Sequence, residues 1–582
     1  MKRWLVLLCW LPLTTWALPQ LELDVQLDPA TRQFSARATL TDDRDLQVFR
    51  LGREYEITAL KLNGRPIDTK SRLAKTDFRL PAGTRQVDIA YRATLPQTPT
   101  LDHRQVLGQR GGTASPEGSF LPAAAGWYPD TGQLFNYRAT LNLPAGQKGL
   151  VPGTLREESD TSSGYRAVFD FPHPADSIDL MAGPYVVSER SLALGTPGTR
   201  TIRIRTWFHP ELKDFAQGYL DDSARYLERY SELIGPYPFG MFSVVSSPTP
   251  TGYGMPSLTY LGREVIRLPF IRATSLGHEV LHNWWGNGVY PDWQSGNWSE
   301  GLTTFLADYA YKEDEGAEAA REMRMGWLRD YAAVPPGEDF ALKDFTSRHH
   351  GIASIIGYNK AAMIFLMLRD KIGWDAFERG LRLLWERKQF QAASWADLEA
   401  AFSEAAGQSQ KEFFRQWVMQ AGAPAFSGSD PDFRVWRRVD PKVFPPILRE
   451  VFVAPRVSVV VTAAELQSAA QALAQRVLDA KSAPVGATLP ATGPALIFGL
   501  AAGIDSWLAR HDLPARPFNP RGSAQVWAGR DAMNRPYVVV AARDTASLKA
   551  LERGLPHYGK QSWLIFEGAR AAEKGVWPPH RD

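Results

Sequence analysis

The chain has 582 residues, of which 44% are hydrophobic and 22% charged, with a formal net charge of +3. That length exceeds a single hydrophobic core, so about three or four domains are expected. The near-neutral balance gives no electrostatic footprint for nucleic acid or an anionic membrane surface, and neither is expected as a partner.

The N-terminus reads as a targeting segment. Lys2 and Arg3 precede a short apolar stretch at 4–13, and Thr15-Trp16-Ala17 places small residues where a cleavage site needs them. The apolar run is about half of the ~20 residues a membrane span requires. Residues 1–17 are therefore expected to be a signal peptide, and the mature protein to be periplasmic or secreted, without a transmembrane span. The chain has one cysteine, Cys9, which would leave with the signal. Disulfides, thiol catalysis and cysteine metal ligands are then excluded together.

From residue 18 to 208 the pattern is mostly period two. Leu21, Leu23, Val25 and Leu27 alternate with polar residues, as do Val87, Ile89 and Tyr91. Asn63-Gly64 is a hairpin turn signal, and further runs occur at 137–143, 180–187 and 201–207. An N-terminal antiparallel β domain of the sandwich or saddle type is expected. Near His209 the period changes: Phe215, Tyr219, Tyr226, Tyr230 and Leu233 fall close to one helical face. Residues 209–426 are expected to form one mostly helical domain, with helices at 361–371, 374–387 and 395–406 and Ser394 as an N-cap. A proline-bearing stretch at 423–446 leads to a C-terminal unit, 427–582. There, apolar runs at 457–461, 495–498, 537–541 and 563–566 alternate with helical segments at 463–478 and 545–555, the pattern of a small α/β domain. It has no glycine-rich phosphate loop, so no nucleotide cofactor is assigned to it.

The chemistry centres on His278-Glu279-Val280-Leu281-His282. Residues four apart share a helix face, so both imidazoles can reach one ion, and Glu279 can approach a bound water without ligating the metal. With 10 histidines in the chain, a chance match is expected in roughly one such protein in a hundred. Trp298-Ser299-Glu300-Gly301 opens a second amphipathic helix, and Glu300 is a candidate third ligand, leaving a fourth position for water. Trp285 and Gly288 stand where an extended three-histidine motif would need glycine and histidine. One zinc ion per chain, held by His278, His282 and Glu300, is expected.

The run from His278 through Asn283-Trp284-Trp285-Gly286-Asn287, continued in Trp298-Ser299-Glu300-Gly301, resembles the gluzincin zinc aminopeptidases related to aminopeptidase N and the leukotriene hydrolase. The resemblance covers residues 18–426 and implies a thermolysin-like catalytic domain after a β domain, with peptide substrates. Seventeen residues separate His282 from Glu300, one fewer than is usual in the family. The resemblance also implies an oxyanion-donating tyrosine in a Tyr-x-Lys-(Gly/Ala) context, which Tyr358-Asn359-Lys360-Ala361 matches.

One departure bears on specificity. Family aminopeptidases carry Gly-x-Met-Glu-Asn, whose glutamate holds the substrate's free amine, whereas this chain reads Gly252-Tyr253-Gly254-Met255-Pro256-Ser257-Leu258. Gly254 and Met255 remain as substrate-binding candidates on a strand edge, but the Glu-Asn pair is missing. The stretch 120–126, where the family has a second amine contact, has no acid or amide. Another acid such as Glu264 could substitute, or a free N-terminus is not required. Asp308 could orient a ligand histidine, and His349-His350 could line the cleft; solvated surface is the commoner fate of each. The expectation is a zinc peptidase with altered amine recognition. Its alternatives are an endopeptidase, a zinc hydrolase of non-peptide substrates, and a non-catalytic scaffold.

Overall fold

A computed structural model describes residues 18–68, 76–101, 105–195, 200–347, 351–422, 444–478, 486 and 488–578. The signal segment, Cys9, His349-His350 and most of the proline-bearing stretch lie outside these. The chain divides into two compact units, residues 1–289 with 389–391, and residues 290–388 with 392–582. The division falls inside the stretch 209–426.

The first unit is rich in strands. An eight-stranded sheet holds Gln20–Asp28, Gln33–Thr41, Gln86–Thr94 and Phe135–Leu143 among its members. Alternation drives it: Leu21, Leu23, Val25 and Leu27 are buried while their neighbours face outward. Asn63 and Gly64 both adopt positive φ, 46° and 77°, and turn Glu56–Leu62 back on Arg65–Pro66, as an Asn-Gly hairpin should. The sheet is not wholly antiparallel. Gln20–Asp28 runs parallel to Phe135–Leu143, a pairing of residues more than a hundred positions apart that local pattern does not encode.

The run at 180–187 is two strands, not one. Leu180–Gly183 joins a three-stranded sheet, and Val186–Leu194 joins a different, five-stranded one. That second sheet runs Val186–Leu194, Arg200–Phe208, Met241–Ser247, Leu258–Gly262 and Gly252–Met255 in spatial order. Period-two strands before His209 thus share a sheet with strands after it. Gly252–Met255 lies at the edge and, among the described residues, is paired on one side, with Leu258–Gly262. Helix Ala216–Leu233 follows the expected face, burying Tyr219, Tyr226 and Tyr230. Phe215 departs from it. It ends a preceding 3-10 turn, Pro210–Phe215, and is exposed.

In the second unit, helices Ala361–Ile372, Trp374–Lys388 and Trp395–Ala406 match expectation within a residue. Ser394 caps the last in a reciprocal capping box with Asp397. The continuous helix Ile352–Ile372 is long and apolar enough to cross a membrane by length and composition, but two-thirds of its apolar window is buried inside the protein. It is a core helix. The C-terminal region forms a six-stranded mixed sheet. Ser458–Val461, Ala495–Leu500 and Pro536–Ala542 run parallel, and Ala524–Arg530, Trp563–Glu567 and Arg570–Gly575 extend it antiparallel. Helix Gln467–Val477 packs into the core on one face, and Ile504–Arg510 into the core on the other.

Candidate metal centre

Helix Ser275–Leu281 carries the first half of the site. Leu276, Val280 and Leu281 are buried, which turns the opposite edge of the helix, with His278, Glu279 and His282, away from the core. The two imidazoles lie with centroids 4.9 Å apart. His282 Nδ1 sits 2.9 Å from the carbonyl oxygen of Trp285. That contact fixes the tautomer with hydrogen on Nδ1 and presents the Nε2 lone pair to an ion.

The edge strand is tied to this helix by two asparagines of the same motif. Asn283, with no exposure, accepts the Ser257 N–H on Oδ1 at 2.8 Å and donates through Nδ2 to Val280 O. Ser257 sits at φ 62°, in the turn between the edge strand and its neighbour. Asn287 Nδ2 donates to Gly254 O at 3.3 Å. The result is a close approach: a Cβ on Gly254 would lie 2.7 Å from Glu279 Oε2. Met255 is buried, so its side chain packs into the core and its backbone alone belongs to the exposed edge.

Glu300 is placed by its own supports. Trp298 is fully buried and donates to Ala393 O at 2.7 Å. Asn297 Oδ1 accepts from Ser299 N and Ser299 Oγ, at 3.0 and 2.7 Å, which fixes the chain just before the short helix Ser299–Thr303. Thr304–Tyr309 then continues as a π-helical turn. One ligand atom from each of His278, His282 and Glu300 falls within 4.8 Å of the others, and this is the metal-competent cluster among the described residues. Two imidazole nitrogens and a carboxylate oxygen at that mutual distance are the donor set of a zinc site that keeps an open position. The residues fit the ion, and the shorter connection before Glu300 leaves it beside the histidines.

Tyr358 lies in a second π-helical turn, Ile355–Lys360. Such turns are rare and concentrate at functional sites. Its helix meets that of Glu300 at close range, since a Cβ on Gly301 would lie 2.2 Å from Ala361 Cβ. Only glycine permits this approach. The Tyr358 ring packs edge-on against Phe345, centroids 6.1 Å apart.

The other candidates stand elsewhere. Glu264 is exposed and pairs with Arg267 at 2.8 Å. Asp308 sits half-buried within the first π-helical turn. At 120–126 an acid does arrive from outside the stretch. Asp179 Oδ1 accepts the Ala123 N–H at 2.9 Å, and burial raises its carboxyl to about 6. Nothing local in the sequence marks Asp179, because strand pairing between Leu180 and Leu121 brings it there. Asn283 and Asn287 stood inside the recognised motif, but their partners become visible only with the edge hairpin in place.

Residues 272–417 match the Peptidase family M1 domain. Among curated proteins the chain is 31% identical over 168 residues to human glutamyl aminopeptidase, 27% of this chain and 17% of that one. It is 29% identical over 162 residues to aminopeptidase N of Escherichia coli, 27% of this chain and 18% of the relative. To the puromycin-sensitive aminopeptidase of Caenorhabditis elegans it is 28% identical over 319 residues, 50% and 33% of the two chains. The chain thus spans a third or less of each of these relatives.

An M1 zinc metallopeptidase from Deinococcus radiodurans shares the fold at TM-score 0.53 and 20% identity, over 71% of this chain and 96% of that one. A mutant of it bound to a Tyr-Ser-Ala substrate matches at TM-score 0.54 and 20% identity, with the same coverage. The C-terminal sheet lies beyond the residues that match the M1 domain.

Proposed function

We propose that this chain is a zinc-dependent peptidase, aminopeptidase-like in its machinery and altered in how it recognises a substrate's N-terminus. The observation that carries the reading is the cluster of His278, His282 and Glu300 with Glu279 lying against the edge strand at Gly254. A zinc ion held by the three ligands would act as a Lewis acid and lower the pKa of a water molecule. Glu279 takes a proton from the attacking water and returns it to the leaving amine. The Tyr358 hydroxyl donates to the charge that develops on the scissile carbonyl oxygen. The backbone edge at Gly254 offers an extended peptide a strand to pair with, which positions the carbonyl against Glu279.

The altered recognition rests on the missing Glu-Asn pair and on Glu264, whose carboxylate is engaged by Arg267. An ammonium bound without a carboxylate forgoes a charge-assisted interaction of about 1.5–3 kcal/mol. A protein that accepts blocked peptides is the consistent second reading. We also place the protein outside the cytoplasm, on the basic and apolar leader at 1–17; N-terminal sequencing of the periplasmic form should begin at Leu18.

The test compares matched peptides with free and N-acetylated termini, with Glu279→Gln as the control. Free-amine peptides cleaved from the N-terminus, with acetylated ones spared, would establish aminopeptidase action and remove the altered-recognition reading. Comparable cleavage of both establishes endopeptidase action. Cleavage of neither by protein carrying about one zinc would sink the peptidase assignment. Metal analysis belongs beside it, because His282→Ala should lose the ion that the wild type retains.

A further inference from the structure

A buried acid joins the C-terminal region to the turn that carries Tyr358. Asp330, on helix Ala317–Ala332, has no solvent exposure. Asn359 Nδ2 donates to its Oδ2 at 2.9 Å. The same oxygen lies 3.1 Å from Arg449 Nη1 and 3.5 Å from Lys560 Nζ. Asn359 follows Tyr358 directly in the π-helical turn. Arg449 and Lys560 both come from the C-terminal region, and the Arg449 N–H donates to Gly559 O at 2.9 Å, which ties the two cation-bearing segments together.

The next residue is held in the same manner. Lys360, its side chain 1% exposed, reaches Asp339 at 3.1 Å. Asp339 also accepts from Tyr331 Oη at 2.7 Å and from the Gly422 N–H. Both residues after Tyr358 therefore end on carboxylates, and one of these is neutralised from the C-terminal region. A carboxylate at zero exposure is tolerable only with cations beside it, and removing one partner leaves an uncompensated buried charge. Without Arg449, Asp330 would draw solvent or change its rotamer, and the amide of Asn359 would lose its anchor. The π-helical turn is the element such a loss would release, since Asn359 lies within it and is tied to Asp330 by its side chain.

We propose that the C-terminal α/β region holds the Tyr358 turn in its working conformation, with Arg449 and Lys560 fixing Asp330 and Asp330 fixing Asn359. Arg449, Asp330 and Asn359 are positioning residues; the catalytic part of this inference rests on the role assigned above to Tyr358.

The experiment uses the full chain with Arg449→Met, Arg449→Lys and Lys560→Met, the last at a side chain 53% exposed. Four quantities are read: amide exchange of the segment 355–361, kcat and KM on an unblocked peptide, and bound zinc. Arg449→Met should speed exchange at 355–361 and lower kcat about ten- to a hundredfold. KM should stay within about twofold and zinc should be retained. Arg449→Lys should recover most of the loss, and Lys560→Met should show a smaller change of the same kind.

Unchanged exchange at 355–361 in both methionine variants overturns the inference and leaves the peptidase reading standing. Exchange raised evenly throughout the chain overturns it as well, by showing a merely structural role. A zinc-loaded wild type that cleaves no peptide overturns the peptidase reading instead, and the exchange measurement still decides whether the C-terminal region holds the turn.

Discussion

Replacing Gly254 with alanine adds one carbon at the point where the edge strand meets the proposed base. That carbon would lie 2.7 Å from Glu279 Oε2 and 3.3 Å from His282 Cβ and Cδ2. Non-bonded carbon and oxygen settle at roughly 3.4 Å, so something must move by about 0.7 Å. The imidazole is held by its contact with Trp285 O, and Asn287 and Asn283 hold the strand and its turn. The Glu279 carboxylate, at the end of a flexible side chain, therefore yields. A base displaced by most of an ångström loses about ten- to a hundredfold in rate, or about 1.4–2.7 kcal/mol of barrier.

The fold should lose about 1 kcal/mol at most, because a flexible side chain absorbs the clash. The assay is kcat on an unblocked peptide, with zinc content and thermal midpoint measured in the same preparations. Gly252→Ala is the internal control, since its added carbon would meet only Leu261 Cδ2 at 3.8 Å. A zinc-loaded, folded Gly254→Ala protein with wild-type kcat would refute both the close approach and the role of Glu279.

Tyr358→Phe should lower kcat by about 10²–10³ with little change in KM, as expected for a donor used only as charge develops; an unchanged kcat would remove Tyr358 from the mechanism. Asn283→Ala should cost about 1–3 kcal/mol in urea unfolding by orphaning the buried Ser257 N–H. It should also lower activity, by loosening the hairpin that carries Gly254. The imidazole of His173, stacked on Phe390 at 4.0 Å, is depressed to about 4 by burial, with Arg200 nearby as a lesser cause. A depressed histidine binds fewer protons folded than unfolded, so its contribution is present above about pH 6.5 and fades as pH falls towards 4. His173→Phe should flatten that part of the stability profile, and an unchanged slope between pH 6.5 and 4 would count against it.

Much of the architecture was legible because its causes are local. Alternation placed Gln20–Asp28 and Gln86–Thr94, Asn63-Gly64 dictated its own turn, and Ser394 found its reciprocal partner three residues on. The helical spacing of His278 and His282 likewise holds because four residues return the chain to the same face. Where the strand reading departed from the structure, a long-range pairing decided the outcome. The run at 180–187 broke because its halves pair with different sheets. Strands Ala524–Arg530 and Arg570–Gly575 went unread because their antiparallel partners, not their own pattern, define them.

The candidate ligands and the proposed base were legible in the sequence alone, since they depend on residue chemistry and on spacing along one helix or loop, and the candidate tyrosine followed from the family resemblance. Tertiary structure decided what those residues meet. Gly254 lies against Glu279 because two asparagines fasten an edge hairpin to the metal helix. Gly301 lets the helix that begins at Ala361 come close to its own, and Asp330 gathers Asn359, Arg449 and Lys560 from positions 29 to 230 residues away. Such contacts follow from packing and from the need to neutralise a buried charge, neither of which leaves a periodic trace in the chain.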